Sequence, residues 1–189
     1  MKRIAIFASG SGTNAENLIK HFRTHPLGQV EMVLTNRPEA GVIERSKKLG
    51  VETVIFTRQA FYETDQILEL LKERKIDLLV LAGFLWLVPS NIIEAFEGRL
   101  INIHPAILPK YGGKGMYGNR VHQAVIDSGD TESGITIHHV NQAYDEGSII
   151  FQAGCEVLDD DTPDSLAERI HQLEYKYFPK VVEDLLNQL

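Results

Sequence analysis

The sequence predicts an α/β fold built on a mainly parallel, twisted sheet of about seven strands with helices on both faces. Short runs of branched apolar residues alternate along the chain with longer stretches of helical periodicity, as strands and helices do when they follow one another. Several of these runs are apolar throughout, as expected for parallel strands that are covered on both faces. The 189 residues are 43% hydrophobic and can bury one good core, so a single domain over residues 1–189 is expected.

Each predicted strand is a short, mostly apolar run. In chain order the strands are Arg3–Ala8, Val30–Leu34, Val51–Phe56, Leu78–Ala82, Arg99–His104, Gly134–Val140 and Ser148–Val157. The run over Leu78–Ala82 breaks at Gly83 into the apolar segment Phe84–Pro89, which is either core or the wall of a pocket for a flat aromatic ligand.

The predicted helices carry recognisable start and stop signals. Gly50 closes the second helix. Thr162-Pro163-Asp164 gives the last one an N-cap, a proline at its first position and an early acidic residue. The helices are the amphipathic stretch that carries Leu18, Ile19 and Phe22, then Gly41–Leu49, a helix within Phe61–Lys75, Val121–Ile126, and a long helix from Thr162 toward Leu186.

Composition argues against several classes of protein. The net charge of −7 argues against a surface that coats nucleic acid. Cys155 is the only cysteine, so neither an internal disulfide nor a CxxC metal site can form. No apolar run approaches membrane-spanning length, and the one after Met1-Lys2-Arg3 is too short for a signal peptide. We therefore expect a cytoplasmic protein with no nucleic-acid or membrane partner, and the sequence leaves open whether it is a monomer or a homodimer.

The seven histidines do not show the spacing of a metal site. His138 and His139 are adjacent on a predicted strand and so face opposite ways. His21 and His25 share a face of a predicted helix but lack the glutamate of an H-E-x-x-H motif. No metal is therefore expected.

Asn102 and His104 interrupt the apolar pattern of the fifth strand. Because side chains alternate along a strand, the two project from the same face, and Pro105 ends the strand directly after them. Ligands of open α/β sheets bind at the carboxyl ends of the strands. The amide and the imidazole are therefore either a reaction centre or polar groups that satisfy the backbone at a strand end.

The glycine-rich turn Ser9–Asn14 lies between the first strand and the first helix. In this context the main-chain N–H groups and the helix dipole can hold an anion. The turn matches neither the G-x-G-x-x-G fingerprint of dinucleotide sites nor the P-loop, so NAD or ATP is not implied. A phosphate on a smaller molecule fits better, and a plain βα turn is the alternative.

Asp145 lies in an Asp-Glu-Gly turn, where an aspartate is ordinary. If the strands run parallel, however, its loop leaves the sheet at the edge where Asn102 and His104 emerge. A carboxylate beside His104 would favour the imidazolium and raise the pKa of that histidine. His138 is of interest because it lies toward the end of the strand that precedes this loop.

Four motifs taken in order resemble a known family. They are Ser-Gly-Ser-Gly-Thr-Asn after the first strand, Leu-Ala-Gly-Phe after the fourth, Asn-Ile-His-Pro-Ala-Ile-Leu-Pro-Lys-Tyr in the fifth and beyond, and Tyr-Asp-Glu-Gly in the last loop. Together they resemble the folate-dependent formyltransferase superfamily, and its phosphoribosylglycinamide branch in purine biosynthesis, over essentially the whole chain. The resemblance implies a Rossmann-like domain that uses 10-formyltetrahydrofolate as formyl donor, phosphoribosylglycinamide as acceptor and no metal.

The resemblance also implies residue roles. Asn102, His104 and Asp145 match the catalytic trio of the family. The ribonucleotide would be held by its phosphate at Gly12, Thr13 and Asn14 and through its ribose hydroxyls at Glu174. Folate contacts are implied for Arg58 at the tail and for Leu85, Trp86, Leu87, Val88, Asn102, Asn141, Gln142, Ala143, Tyr144 and Asp145 around the pteridine.

Residue chemistry then suggests a mechanism without a covalent intermediate. The glycinamide amine attacks the formyl carbon, Asn102 and a protonated His104 donate to the oxyanion, and Asp145 keeps His104 charged and helps to move the proton. The nearest alternative is a formyltetrahydrofolate hydrolase, although such enzymes usually carry an extra N-terminal domain. A methionyl-tRNA formyltransferase would need a further C-terminal domain and a basic surface. Outside enzymes, a folate- or nucleotide-binding module is the alternative.

Overall fold

A computed structural model describes all residues, 1–189. The seven strands are β1 (Lys2–Phe7), β2 (Gly28–Thr35), β3 (Glu52–Ile55), β4 (Leu78–Leu81), β5 (Leu100–His104), β6 (Glu132–His139) and β7 (Ile149–Glu156). The helices are α1 (Thr13–Phe22), α2 (Gly41–Lys48), α3 (Arg58–Tyr62), α4 (Gln66–Glu73), α5 (Ser90–Ala95), α6 (Asn119–Ser128) and α7 (Pro163–Gln188).

All seven strands form one sheet in the order β3-β2-β1-β4-β5-β6-β7. Strands β1 to β5 pair in parallel, whereas β6 and β7 are antiparallel to their neighbours. The predicted α/β fold with a mainly parallel seven-stranded sheet is confirmed. Because β1 lies between β2 and β4, the chain reverses its winding there, and a crevice forms at the carboxyl ends of β1 and β4.

A hydrophobic core covers each face of the sheet. On one face, α1 and α7 pack over apolar side chains of the central strands, with Phe22 and Phe178 among the fully buried ones. On the other face, α3, α4 and α5 enclose an aromatic group around Phe7, Phe56 and Phe61. The continuous apolar runs of the parallel strands supply both cores, as strands buried on two faces must. None of the helices is both long and apolar enough to cross a bilayer.

The structure contains two short helices beyond those predicted. The helix expected within Phe61–Lys75 is α4, and the separate helix α3 precedes it. The hydroxyl of Thr64 donates to the carbonyl of Ala60 and accepts from the N–H of Gln66, so a side chain takes over backbone bonds and stabilises a turn. Helix α5 was not predicted, because six residues are too few to show helical periodicity.

Candidate active site

A cavity of about 580 Å³ opens at the carboxyl ends of β1, β4 and β5. The glycine-rich turn before α1 lines one end, the segment after β4 lines another, and the polar residues of β5 lie between them. This is the edge at which open α/β sheets bind ligands.

Asn102 and His104 project from the same face of β5, as predicted, and both line the cavity. Their cross-strand partners on β6 are His138 and Thr136. His138 is buried, its Nδ1 lies 2.8 Å from the carbonyl of His139, and its Nε2 lies 3.1 Å from the Asn102 amide nitrogen. A carbonyl can only accept, so Nδ1 carries the proton and Nε2 accepts from Asn102. His138 therefore fixes which way the amide of Asn102 points.

Asp145 reaches this group by a different route from the one predicted. The prediction assumed parallel strands, but β6 is antiparallel to β5, so its end lies beside Leu100 at the start of β5. The loop between β6 and β7 instead brings Asp145 to the polar face of β5. Its Oδ2 lies 3.5 Å from Nδ1 of His104, and its Oδ1 accepts from the amide of Asn102 at 3.3 Å. The three side chains of the predicted trio are thus in one cluster.

The carboxylate of Asp145 has two further partners. It accepts from the N–H of Gly113 at 3.0 Å and lies 3.6 Å from Nε2 of His138. Burial raises the pKa of Asp145, but the imidazole of His104 and the hydrogen bond from Gly113 oppose it, and the pKa lies below its ordinary value. Asp145 is therefore a carboxylate at neutral pH.

The expected rise in the pKa of His104 is wrong. Burial lowers the pKa of this nearly inaccessible imidazole by more than Asp145 and the Tyr111 carbonyl raise it. The neutral imidazole is therefore the favoured form of His104 at neutral pH. Its Nε2 donates to the Tyr111 carbonyl at 2.7 Å, so its Nδ1, which faces Asp145, carries a proton only in the imidazolium.

The turn before α1 lines the cavity with Gly12, Thr13 and Asn14. Gly12 has φ 78°, and a Cβ there would lie 2.4 Å from the Val42 side chain, so the turn needs glycine for its conformation and for its packing on α2. Asn14 donates to Glu174 of α7 at 2.8 Å. Burial raises the pKa of Glu174 to about 7, although the bond from Asn14 opposes this.

The predicted folate residues are only partly gathered at the cavity. The lining includes Leu85, Trp86, Leu87 and Val88 from the segment after β4, and Ala143, Tyr144 and Asp145 from the loop after β6. Asn141 and Gln142 are exposed outside the lining. Arg58 also lies outside it, with its guanidinium over the rings of Tyr62 and Trp86.

Sequence reasoning missed some groups of the site. The sequence assigns no role to His138, because its position opposite Asn102 follows only from the strand register. The carbonyl of Tyr111 binds His104 because Tyr111 takes φ 58°, and the only sequence signal for this was the adjacent pair of glycines. The lining also contains three cationic side chains for which no role was predicted: Arg37, Lys114 and Arg120.

An amide, an imidazole and a carboxylate beside a glycine-rich turn, at the reversal point of an α/β sheet, are typical of a group-transfer site. The chain belongs to the formyl transferase family, whose model matches residues 2–182. A chloroplastic phosphoribosylglycinamide formyltransferase of Arabidopsis thaliana is 37% identical over 187 residues, covering 96% of this chain and 64% of the relative. The phosphoribosylglycinamide formyltransferase of Bacillus subtilis is 31% identical, with 98% and 95% covered.

Solved structures agree with this assignment. A phosphoribosylglycinamide formyltransferase from Streptococcus pneumoniae TIGR4 is 39% identical with a TM-score of 0.86, and the match covers 98% of this chain and 99% of that one. A glycinamide ribonucleotide transformylase from Symbiobacterium toebii is 32% identical with a TM-score of 0.90, covering 100% and 89%.

Proposed function

We propose that residues 1–189 form one formyltransferase domain that transfers the formyl group of 10-formyltetrahydrofolate to the amine of phosphoribosylglycinamide. The observation that carries this proposal is the single cavity that holds both the cluster of Asn102, His104 and Asp145 and the anion-binding turn at Gly12–Asn14. A formyl carbon at the cluster and a phosphate at the turn are then held by one scaffold. Holding both substrates in this way supplies the proximity that the reaction needs.

The ribonucleotide is proposed to lie between α1 and α7. Its phosphate binds the N–H groups of Gly12, Thr13 and Asn14 at the start of α1, where the helix dipole favours an anion. Its ribose hydroxyls bind Glu174, which Asn14 holds in place. The amine then extends toward β5.

The formyl donor is proposed to lie against the apolar segment Leu85–Val88 and the backbone of Ala143–Asp145. An aromatic pterin is suited to such a wall, because apolar walls with a few oriented polar groups are typical of ligand sites. Arg58, which is predicted at the folate tail, lies outside the cavity and would meet the tail there. Asn141 and Gln142, which are predicted at the pteridine, lie outside the cavity and are not proposed as pteridine contacts.

Two donors are available to the oxyanion that forms when the amine attacks the formyl carbon. Both N–H groups of Asn102 are engaged, one with His138 at 3.1 Å and one with Asp145 at the longer distance of 3.3 Å. The formyl oxygen is proposed to replace Asp145 as the acceptor. The second donor is Nδ1 of His104, which can donate once His104 is protonated, and the growing negative charge favours that form.

Asp145 is proposed to handle the proton. As a carboxylate beside Nδ1 of His104, it stabilises the imidazolium while the oxyanion exists. Through water it can also accept the proton of the attacking amine and pass it to the departing folate nitrogen. Formyl transfer then needs no nucleophile from the protein.

A single assay separates this function from the alternatives. The chain is mixed with 10-formyltetrahydrofolate with and without phosphoribosylglycinamide, and the formyl group is followed by mass spectrometry. We expect formylglycinamide ribonucleotide and tetrahydrofolate only when the acceptor is present. Formate release without acceptor would identify a hydrolase, and no turnover would leave a binding module. Asn102→Ala should lower kcat by roughly 10²–10³, the usual loss for one oxyanion donor.

A further inference from the structure

A second convergent cluster lies away from the cavity, at the far end of α1 from the Gly12 turn. It consists of His21, His25 and Glu183. His21 lies in the last turn of α1, and Glu183 lies on α7. The sequence prediction placed both histidines on one helix, but α1 ends at Phe22, and His25 lies in the turn beyond it. The third side chain of the cluster, Glu183, follows His25 by 158 residues in the sequence.

Two of the three distances between the ligand atoms match those of a tetrahedral site. Nε2 of His21 lies 3.4 Å from Oε2 of Glu183, and Nε2 of His25 lies 3.5 Å from the same oxygen. Ligands about 2.0–2.1 Å from a zinc ion at tetrahedral angles are about 3.3–3.4 Å apart. All three atoms lie within 4.8 Å of one another, so one ion can reach them all with small adjustments.

Hydrogen bonding does not account for this convergence. Nε2 of His21 is buried and has no hydrogen-bond partner, although it faces the carboxylate. Buried polar atoms are nearly always partnered, so an unpartnered nitrogen 3.4 Å from a carboxylate oxygen is available to a ligand. His25 is partly committed elsewhere, since its Nδ1 accepts a long bond of 3.4 Å from the N–H of Leu27. Metal binding at Nε2 would put the proton on Nδ1 and break that bond.

The two imidazoles already lie close together. The ring centroids of His21 and His25 are 5.2 Å apart with planes 22° apart, and the ring of Phe22 is steeply inclined to both. A rotation of the imidazoles that brings their in-plane lone pairs onto one point is then enough for both to bind one ion. The side chains of His21, His25 and Glu183 are 31%, 20% and 34% exposed, so an ion and a water molecule can enter from solvent.

We propose that His21, His25 and Glu183 bind a zinc ion. Two imidazole nitrogens and one carboxylate form a donor set that zinc prefers and that magnesium and calcium, which take oxygen ligands, do not. A water molecule completes the tetrahedron. The ion joins α1 to α7, and these two helices also carry Asn14 and Glu174 at the cavity. The site is independent of the reaction proposed above, so either can fail without the other.

The test is a zinc titration of the full chain after its metal has been removed with a chelator, using a competing chromophoric indicator. We expect one zinc ion per chain. His21→Gln and Glu183→Gln should each weaken binding by on the order of 100-fold, because loss of a group that only orients a ligand already costs 10–100-fold. Asp184→Asn is the matched control: it removes the adjacent, exposed carboxylate and should leave the affinity unchanged.

Two further readouts make the result decisive. Cobalt(II) in place of zinc should give the visible absorption of a tetrahedral site in the wild type and in Asp184→Asn, and none in the other two variants. Zinc should raise Tm of the wild type until one equivalent has bound, and circular dichroism of each metal-free variant checks that it folds. Zinc affinity in His21→Gln and Glu183→Gln equal to that of the wild type would overturn the proposal, because any ion would then lie elsewhere. An absence of binding to the wild type would also overturn it.

Discussion

Asp145 contacts four polar groups of the cavity, on Asn102, His104, Gly113 and His138. It does so from φ 56°, a left-handed conformation that aspartate and asparagine tolerate better than most residues. A backbone in this region carries strain, and such strain is concentrated at functional sites. The strained backbone therefore indicates that the contacts of the Asp145 side chain, and not the turn conformation, determine which residue is needed at this position.

Asp145→Asn tests the charge of this residue while keeping its backbone preference. Without the carboxylate the pKa of His104 should fall further, and the proton relay is lost, so kcat should drop by about 10²-fold or more. The KM for the ribonucleotide should change little, because its phosphate binds at the other end of the cavity. Steady-state kinetics with NMR titration of His104 measure both effects.

Glu146→Gln is the matched control for Asp145→Asn, since it removes the neighbouring exposed acid of the same loop. It should leave kcat within twofold or so of the wild type, in keeping with the small effects of most surface changes. Full activity of Asp145→Asn with an unchanged His104 pKa would show that Asp145 only stabilises the turn between β6 and β7.

Ionisation of the buried Glu174 is expected to lower the free energy of unfolding of the protein as the pH rises above about 7. Its pKa is raised from 4.5 to about 7 in the folded protein, so the folded state holds this proton more tightly than the unfolded state does. The stability it contributes is complete below about pH 4.5 and is lost as pH rises through about 7. Glu174→Gln should therefore raise the free energy of unfolding at pH 8 by up to about 3 kcal/mol relative to the wild type.

Urea unfolding of both proteins between pH 4.5 and 8 measures this difference, which should shrink toward pH 4.5. Glu94→Gln, which changes an exposed glutamate on α5 without an ion-pair partner, should show no such trend. A Glu174→Gln variant that is no more stable than the wild type at pH 8 would mean that water or a cation reaches the carboxylate.

In the turn before α1, Gly12 is required both for its backbone conformation and for its close packing against α2. Gly12 must take φ 78° and must leave room for Val42 of α2, whose Cα would lie 2.6 Å from an added Cβ. Gly10, two residues earlier, has no atom within 4 Å of the same point and no positive φ. Both glycines line the cavity, but only Gly12 is closely packed and has a positive φ. Substitutions at the two positions can therefore be compared to measure the effect of packing and backbone conformation.

Gly12→Ala should lower the free energy of unfolding by about 1–3 kcal/mol, the range for a residue forced into an unfavourable backbone region. The same change should raise the KM for the ribonucleotide, because the start of α1 must move away from α2. Gly10→Ala should cost less than about 0.5 kcal/mol. Chemical unfolding and steady-state kinetics check this pair, and equal effects of the two changes would contradict the packing argument.

For the whole molecule, the sheet separates two cores that share every central strand. Phe7 lies in the aromatic core under α3 to α5, and Phe178 lies in the core under α1 and α7. Trp86 packs against Phe56 and Phe61, so its fluorescence reports on the first core, whereas circular dichroism reports on all helices. If residues 1–189 are one domain, both signals must follow a single transition.

Phe7→Ala and Phe178→Ala should each lower the free energy of unfolding by about 3–5 kcal/mol. Both variants should shift the fluorescence and dichroism transitions together, whichever core was changed. A Phe178→Ala protein that keeps the wild-type fluorescence midpoint while its dichroism midpoint falls would show two independently unfolding units.

Features that depend on neighbours in sequence could be predicted from the sequence. The apolar runs indicated the strands, the alternation of β5 put Asn102 and His104 on one face, and the glycine-rich run Ser9–Asn14 indicated the turn between β1 and α1. The motifs also indicated the family, and the family model confirms it. Local geometry alone suffices for these features, because strand periodicity and turn conformation are set over a few residues.

Only the tertiary structure decided the features that depend on burial and on long-range register. The antiparallel pairing of β6 placed His138 opposite Asn102, and burial reversed the expected pKa shift of His104. The convergence of His21 and His25 with Glu183 likewise required the packing of α1 against α7. The pKa of a group depends on its solvent exposure and on charges that approach it from distant parts of the chain, and these exist only once the chain has folded.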